Sequence, residues 1–207
     1  MISFVSLWGF GLIRRLSSDY ASLRWALLSV LLLVLAAPVR AVCVEDDREK
    51  TVCLDDPAQR VVTLSPGATE LLFSAGAGQQ VKAVSAWSDH PPQAQDLPQV
   101  GDSNRLDLEA IVTLKSDLVV AWIDGNSRAQ LARIEELGIP VFWLQPRTFE
   151  GIARAVERLA RLTGHEGTGA ARASEFLAGI TDLRARYRNS APIRVFYQIW
   201  DQPLMTI

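Results

Sequence analysis

The central part of the chain alternates between short apolar runs and amphipathic stretches. Residues 61–64 form a branched, apolar run that is typical of a strand buried on both faces. Ser65 follows as a candidate N-cap, and Pro66 suits the first helical position because that position needs no N–H donor. A helix over residues 67–75 and a strand over residues 81–85 complete the pattern. These elements predict one βαβ unit, whose loops open at the carboxyl ends of the strands, where open parallel sheets bind ligands.

The same alternation continues after a long loop at residues 88–105. Loops of this length within a compact domain are usually functional. Strands that alternate with helices form a parallel sheet covered on both faces, so we predict an α/β fold with a Rossmann-like N-terminal lobe at residues 60–147. The elements predicted after the loop are a helix over residues 108–115, a strand over 118–122, a helix over 127–137 and a strand over 139–144.

A different pattern begins after Pro146, where helices replace the alternation. Residues 149–163 and 169–189 carry apolar side chains at helical spacing. At about 1.5 Å per residue the second helix is about 30 Å long, close to the width of a small domain. We predict that residues 148–191 are connecting helices. Residues 192–207 would then hold only the first strand, over residues 193–200, of a second, missing lobe, because one strand cannot bury its own faces.

The N-terminus carries the pattern of an export signal. Three arginines precede an uncharged apolar run at residues 25–37, and a small-residue site resembling A-x-A ends at Ala41. The run is shorter than the ~20 residues that a membrane span needs, and it fits the apolar region of a secretory signal. A retained anchor helix is the alternative. We predict a signal peptide at residues 1–41, cleaved near Ala41.

Composition and charge narrow the possible partners. Apolar residues make up 49% of the chain and charged residues 21%, which is ordinary for a soluble globular protein. The formal net charge is −2. A protein without a basic balance lacks the electrostatic footprint of a nucleic-acid binder, so we expect no nucleic-acid partner.

Two cysteines, Cys43 and Cys53, lie in a polar segment at residues 42–59, which predicts an extended arm or a short edge hairpin. In an oxidising compartment these thiols are able to form a disulfide, and free or differently paired thiols are the alternative. The cysteine spacing does not match a metal site. His90 and His165 are the only imidazoles in the chain, so we predict no metal site.

No catalytic motif is present. The sequence has no nucleophile elbow, no phosphate-binding loop and no dinucleotide-binding glycine pattern. Asp89 and His90 are adjacent, and adjacent residues rarely converge on one substrate. We therefore predict that the protein is not an enzyme, and an α/β hydrolase is the less favoured alternative.

Aromatic side chains at predicted strand ends are more informative. Trp87 follows one strand and Trp122 ends another, so both belong to the edge where the carboxyl ends of parallel strands meet. Trp200 lies in the last predicted strand. Flat rings with a polar N–H edge suit a bulky, partly apolar ligand, and packing in the core is the alternative for Trp87 and Trp122. Glu109, in the first turn of a helix, has the pattern of an ordinary helix-start carboxylate.

Three stretches resemble a known family: RVVTLSPGATELLFSAGAG from residue 60, LDLEAIVTLKSDLVVAW from residue 106 and RVFYQIW from residue 194. They resemble the periplasmic cobalamin-binding proteins that feed ABC importers, within a wider group in which one long helix joins two lobes. The resemblance implies a monomeric periplasmic protein that captures a corrinoid, has no cofactor of its own, and delivers its cargo to permease subunits. A ferric siderophore or haem carrier on the same scaffold is the alternative.

The resemblance also implies roles for individual residues. Trp87 matches the aromatic position that packs on the corrinoid. Trp122, Gly125 and Asn126 match an A-W-x-x-G-N rim of the ligand site. Glu109 matches the carboxylate that docks the N-terminal lobe onto an arginine pocket of the permease, which replaces the ordinary interpretation given above.

Overall fold

The computed structural model describes residues 41–206, with only the backbone described at Trp200. The predicted signal peptide thus lies outside the described residues, apart from Ala41. The strands are β1 (Val42–Glu45), β2 (Thr51–Leu54), β3 (Val61–Thr63), β4 (Val81–Ala83), β5 (Leu118–Trp122), β6 (Val141–Leu144), β7 (Gln198–Asp201) and β8 (Leu204–Thr206). The α-helices are α1 (Pro66–Ser74), α2 (Leu108–Thr113), α3 (Arg128–Glu136), α4 (Phe149–Thr163) and α5 (Glu166–Tyr187). None of these helices is long and apolar enough to cross a membrane.

A four-stranded parallel sheet organises the fold, with its strands in the order β4-β3-β5-β6. β3 pairs with β4 on one side and with β5 on the other, and β6 extends the sheet beyond β5. Because β4 lies on one side of β3 and β5 on the other, the strand order reverses direction between β3 and β5. Such a reversal is a topological switch point, which leaves a crevice between the carboxyl ends of the two strands. The predicted α/β class with a parallel sheet is confirmed.

Helices bury both faces of this sheet. Val61, Val120 and Phe142 belong to a core that the sheet shares with α1 and α4. Val62 and Val119 belong to a second core, shared with α2 and α3. Neighbouring residues of one strand point to opposite faces, so strands covered on both sides need continuous apolar runs.

Local capping residues mark the ends of the helices, and the predicted N-cap at Ser65 is confirmed. The Ser65 hydroxyl accepts a hydrogen bond from the Ala68 backbone N–H at 3.2 Å. Asp107 caps α2 in the same way, accepting from the Ala110 N–H at 2.9 Å. Gly138 follows α3 with a φ of +81°, the left-handed conformation common just after a helix. The bounds of β5 and α4 agree with the prediction.

The loop at residues 88–105 has more structure than its sequence predicts. A 3₁₀ helix at Pro92–Asp96 occupies its centre. Val84 then forms a bridge with Gln99 just beyond the end of β4, and the Ala86 N–H donates to the Gly101 carbonyl at 2.7 Å. Backbone hydrogen bonds of this kind need no periodicity in the side chains, which is why the apolar pattern did not reveal them.

The C-terminal elements differ from the prediction. α5 begins at Glu166, before the predicted residue 169, because Gly164 ends α4 with a φ of +77° and the chain turns at once. The predicted strand at residues 193–200 is wrong in its extent. Within the described residues only Gln198–Asp201 has a partner, the antiparallel β8, and a strand needs such a partner for its backbone N–H and C=O groups. The division into a lobe, connecting helices and the start of a second lobe stays a prediction.

β1 and β2 form an antiparallel hairpin, one of the two structures predicted for residues 42–59. Cys43 and Cys53 lie directly opposite each other and are joined by a disulfide. In the turn, Asp47 accepts a hydrogen bond from the Gln145 backbone N–H at 2.5 Å. Since Gln145 directly follows β6, the hairpin is tied to the carboxyl end of the sheet.

Candidate ligand-binding groove

A groove opens at the carboxyl end of the sheet, at the switch point between β3 and β5. It has a volume of about 370 Å³. The start of α1 forms one wall, and the ends of β5 and β6 form the other. A concave surface with mainly apolar walls is typical of small-molecule sites. The lining residues are Ser65, Pro66, Gly67, Ala68, Leu71, Trp122, Leu144 and Pro146.

Trp122 ends β5 and forms part of the groove wall. Its side chain is 43% exposed, so the ring is partly packed and still presents a face to the groove. The packed part of the ring lies on the backbone of Gly125. A Cβ built on Gly125 lies 2.8 Å from Cδ2 of Trp122 and closer still to Cε3 and Cζ3, whereas Cβ atoms essentially never approach within 3.0 Å. Only glycine therefore leaves room for the ring in this position.

Asn126 ties together the two strand ends that flank the switch point. Its Oδ1 accepts a hydrogen bond from the Trp122 backbone N–H at 2.7 Å, and its Nδ2 donates to the Leu64 carbonyl at 3.0 Å. The side chain is buried. Because both ends of the carboxamide bind the backbone, the structure gives Asn126 a positioning role between the walls of the groove. Its direct contact with a ligand stays a prediction.

Trp87 lies in the turn after β4. Its side chain is 75% exposed, and its backbone φ of +67° lies in the left-handed region that bulky residues rarely adopt. Trp87 is not among the residues that line the groove beside Trp122. β3 separates β4 from β5, so the ends of those two strands are about 10 Å apart, two strand spacings. The two tryptophans thus belong to the same end of the sheet, on opposite sides of β3.

Glu109 lies in the first turn of α2 and is exposed. Within residues 41–206 its carboxylate has no hydrogen-bond or salt-bridge partner. Val112, one turn later, is apolar and 43% exposed, although its helical spacing from Leu108 predicts an inward position. A helix of six residues has room for few inward positions, and Ile111 fills the central one. Glu109 and Val112 therefore lie on the same outward side of α2.

Trp200 lies in β7, opposite Met205 of β8. The two strands form their own sheet, separate from the four-stranded one. The structure thus brings Trp122, Gly125 and Asn126 together, while it places Trp200 and Glu109 on other elements.

Sequence reasoning missed the contribution of β6 to the groove. Leu144 ends β6, and Pro146 follows it closely, so both reach the carboxyl edge as Trp122 does. The rule that identified Trp122 from its position at a strand end applies equally to these residues. Arg147 pairs with Asp124 at 3.1 Å, which links the loop after β6 to the loop after β5 beside the groove.

Comparison with known proteins assigns this fold to a class. The family described as "Periplasmic binding protein" matches residues 61–205, and the chain belongs to this family. Among its relatives, the vitamin B12-binding protein of Vibrio cholerae serotype O1 is 38% identical over 151 residues, and that of Pectobacterium carotovorum is 40% identical over 150 residues. The alignments cover 73% and 72% of the chain but 55% and 54% of the relatives. The chain thus spans about half the length of the curated relatives it matches.

Solved structures agree with these relatives. The periplasmic vitamin B12-binding protein BtuF of Vibrio cholerae matches with a TM-score of 0.67 at 38% identity, over 73% of the chain and 59% of that structure. The periplasmic heme-binding protein RhuT from Roseiflexus matches with a TM-score of 0.61 at 26% identity, over 68% of the chain and 55% of that structure. The predicted resemblance to cobalamin-binding proteins is confirmed by these relatives.

Proposed function

We propose that the chain is the cobalamin-binding component of an ABC importer, which captures a corrinoid in the periplasm and delivers it to the permease. The observation that carries the proposal is the apolar groove at the switch point, where Trp122 is seated on Gly125 as a flat wall. Relatives that are 38% and 40% identical are named for vitamin B12 binding. The chain spans about half of their length, so the tests below include a protein of their full length.

Binding in this proposal is capture without covalent chemistry. The exposed face of Trp122 packs against a flat, partly apolar ligand, and the buried area supplies the affinity. Trp87 offers a second aromatic face from the β4 side, and Trp200 is a third candidate contact. Gly125 leaves room for the Trp122 ring. Asn126 hydrogen-bonds to the backbone at the ends of β3 and β5 and so holds these strand ends together. Cobalamin is the cargo, and no separate cofactor takes part.

The first experiment measures cobalamin binding directly. Cyanocobalamin is titrated against the chain by equilibrium dialysis, and bound ligand is read from its visible absorbance. The same titration is run on a chimera in which the part of the Vibrio cholerae relative beyond the aligned region follows residue 207. We expect saturable binding by the chimera, weakened at least tenfold by Trp122→Ala, because buried aromatic anchors commonly contribute ~2 kcal/mol or more.

Leu137→Ala is the matched control, because Leu137 is an exposed apolar residue at the end of α3 and does not line the groove. We expect it to leave the affinity unchanged. Failure of both the chain and the chimera to bind cyanocobalamin would contradict the proposal, and so would equal losses from Leu137→Ala and Trp122→Ala.

A heme ligand is the second candidate, favoured by the 26% identity and the TM-score of 0.61 with the heme-binding protein RhuT. Heme is therefore titrated against the same two proteins. Tighter binding of heme than of cyanocobalamin would replace the proposed ligand and leave the fold assignment intact.

Glu109 is the proposed docking residue for the permease. Its carboxylate is exposed at the start of α2 and has no partner within residues 41–206, so it is available to an arginine of another protein. We expect Glu109→Gln to lower the stimulation of the importer's ATPase activity without changing cobalamin affinity. Glu166→Gln is the matched control, because Glu166 is another exposed carboxylate in a helical first turn. Equal stimulation by all three proteins would show that Glu109 does not dock.

Export is the remaining part of the proposal. We propose that residues 1–41 direct the chain to the periplasm, that cleavage occurs near Ala41, and that the exported protein is a monomer. N-terminal sequencing of protein from the periplasmic fraction tests the cleavage, and analytical ultracentrifugation tests the monomer. A sequence that begins at Met1 in a membrane fraction would indicate a retained anchor instead.

A further inference from the structure

Four buried hydroxyl groups form a connected chain next to the turn that carries Trp87. Thr63 Oγ1 and Thr69 Oγ1 lie 2.7 Å apart. Thr69 Oγ1 lies 3.2 Å from Ser88 Oγ, which lies 3.1 Å from Ser85 Oγ. All four side chains are buried. The chain of hydroxyls therefore joins β3 and α1 to the two residues that flank Ala86 and Trp87.

One direction of donation satisfies every link. A hydroxyl carries one proton and accepts through its oxygen, so Thr63 donates to Thr69, Thr69 to Ser88 and Ser88 to Ser85. The Thr69 Oγ1 also lies 3.2 Å from the Ser65 carbonyl, a second acceptor for its single proton at the start of α1. A buried hydroxyl without a partner is unfavourable, and removal of the Thr69 hydroxyl takes away the partner of Thr63 and the donor to Ser88. Thr69 is therefore the link through which this hydroxyl unit joins β3 to the Trp87 turn.

The position of Trp87 depends on this unit because its own ring contributes little. The ring is 75% exposed, so side-chain packing does not fix the left-handed backbone at Trp87. The backbone hydrogen bond across the turn, from the Ser88 N–H to the Ser85 carbonyl, is long at 3.4 Å. The buried Ser88 hydroxyl therefore adds side-chain hydrogen bonds that hold the C-terminal side of the Trp87 turn.

We propose that Thr63, Thr69, Ser85 and Ser88 are positioning residues that hold Trp87 in its left-handed turn and present its ring to the ligand. The proposal rests on the proposed function, since it names how one ligand contact is kept in place before the ligand arrives. A core that only satisfies its own hydroxyls is the competing explanation. In that case removing a hydroxyl lowers stability and leaves Trp87 undisturbed.

The test removes one hydroxyl without changing the shape of the side chain. Thr69→Val is compared with Thr163→Val, a matched control at a buried threonine whose hydroxyl donates within α4. For each protein the near-ultraviolet circular dichroism is measured with and without an added Trp87→Phe change, and the difference isolates the signal of Trp87. Cyanocobalamin affinity is measured on the chimera that carries the same changes.

We expect Thr69→Val to reduce the Trp87 signal by at least half and to weaken cyanocobalamin binding at least fivefold. Thr163→Val should leave both unchanged, and Thr69→Ser should restore both because it returns the hydroxyl. A Trp87 signal in Thr69→Val equal to that in Thr163→Val would overturn the proposal, and so would a lost signal with unchanged affinity. The signal is measured without ligand, so failure of the unsubstituted chimera to bind refutes the proposed function alone.

Discussion

Replacing Gly125 with alanine should displace the Trp122 ring and thereby remove a wall of the groove. The added Cβ would lie 2.8 Å from Cδ2 of Trp122, and ordinary contacts begin at 3.4 Å. Cε3 and Cζ3 are closer still, so a small adjustment does not relieve the overlap. The indole is rigid, and Trp122 is 43% exposed, so the ring has solvent into which it can move. The ring must therefore rotate away from Gly125 or push the turn at residues 123–126 outward.

The cost follows from the area that the ring covers. Trp122 is 43% exposed, so somewhat more than half of a side chain that buries up to about 250 Å² is covered, or about 140 Å². At ~25 cal/mol per Å² this area is equivalent to about 3.5 kcal/mol, an upper bound for complete exposure. Partial exposure gives an expected loss of ~1–3 kcal/mol. For a chain of this size each kcal/mol lowers the midpoint of thermal unfolding by ~2–4 °C.

Thermal unfolding of Gly125→Ala and Gly179→Ala measures the expected loss of stability. Gly179→Ala is the matched control, because nothing lies within 4 Å of its added Cβ, in the helix α5. Alanine is favoured over glycine by ~1 kcal/mol within a helix, so Gly179→Ala should raise the midpoint while Gly125→Ala lowers it. Cyanocobalamin affinity of the chimera should fall at least tenfold in Gly125→Ala only.

If the midpoint of thermal unfolding of Gly125→Ala is at or above that of the unsubstituted chain, the Trp122 ring does not depend on close packing against Gly125. An unchanged near-ultraviolet signal of Trp122, isolated by comparison with Trp122→Phe, would lead to the same conclusion. Lower stability with unchanged affinity would keep the packing argument and remove Trp122 from the ligand site.

Three further predictions concern other positions. Trp87→Gly should be more stable than Trp87→Ala by ~0.5–1 kcal/mol, because both changes remove the ring and only glycine relieves the ~1–2 kcal/mol of left-handed strain, less the ~0.5–1 kcal/mol that glycine costs; urea titrations that show Trp87→Ala to be as stable as Trp87→Gly would contradict this. The double change Cys43→Ser and Cys53→Ser should cost about 2.5 kcal/mol, as expected for a disulfide that closes a sequence separation of 10, and a reducing agent should then have no further effect. Backbone N–H groups of Arg105 and then Asn104 lower the pKa of Asp102 below its ordinary value of 3.8. These hydrogen bonds therefore stabilise the folded state above pH 3.8, and the stabilisation is lost as pH falls through the lower, folded-state pKa of Asp102. NMR titration of the Asp102 carboxyl measures that pKa, and Asp102→Asn should abolish this pH dependence.

Much of the fold could be predicted from the sequence because its signals are local. The strand at Leu118–Trp122 is a continuous apolar run, and the helix at Phe149–Thr163 has apolar residues at helical spacing, so both were predicted with their correct ends. Ser65 and Asp107 cap helices within three residues of their own position. Backbone pairing is not local. The strand predicted at residues 193–200 failed for this reason, because the partner β8, and not the apolar run, decides its extent.

The candidate site shows the same division. The apolar run shows that Trp122 ends a strand, and the rule that parallel strands share a carboxyl edge was enough to place it beside the candidate groove. The close contact between Gly125 and the Trp122 ring depends on where the turn places the indole, and hydrophobic periodicity does not predict that position. The Asn126 side chain hydrogen-bonds to Leu64, which is 62 residues away in the sequence.

The sequence by itself therefore determined the class of fold, the sheet edge that carries the candidate site and the aromatic residues at that edge. These follow from hydrophobic periodicity, helix capping and strand direction, each of which acts over a few residues. The tertiary structure alone decided the strand order, the hydrogen bonds of Asn126 and the hydroxyl chain from Thr63 to Ser85. Such contacts satisfy buried polar groups that are distant in sequence, and only the packed chain determines which of these groups meet.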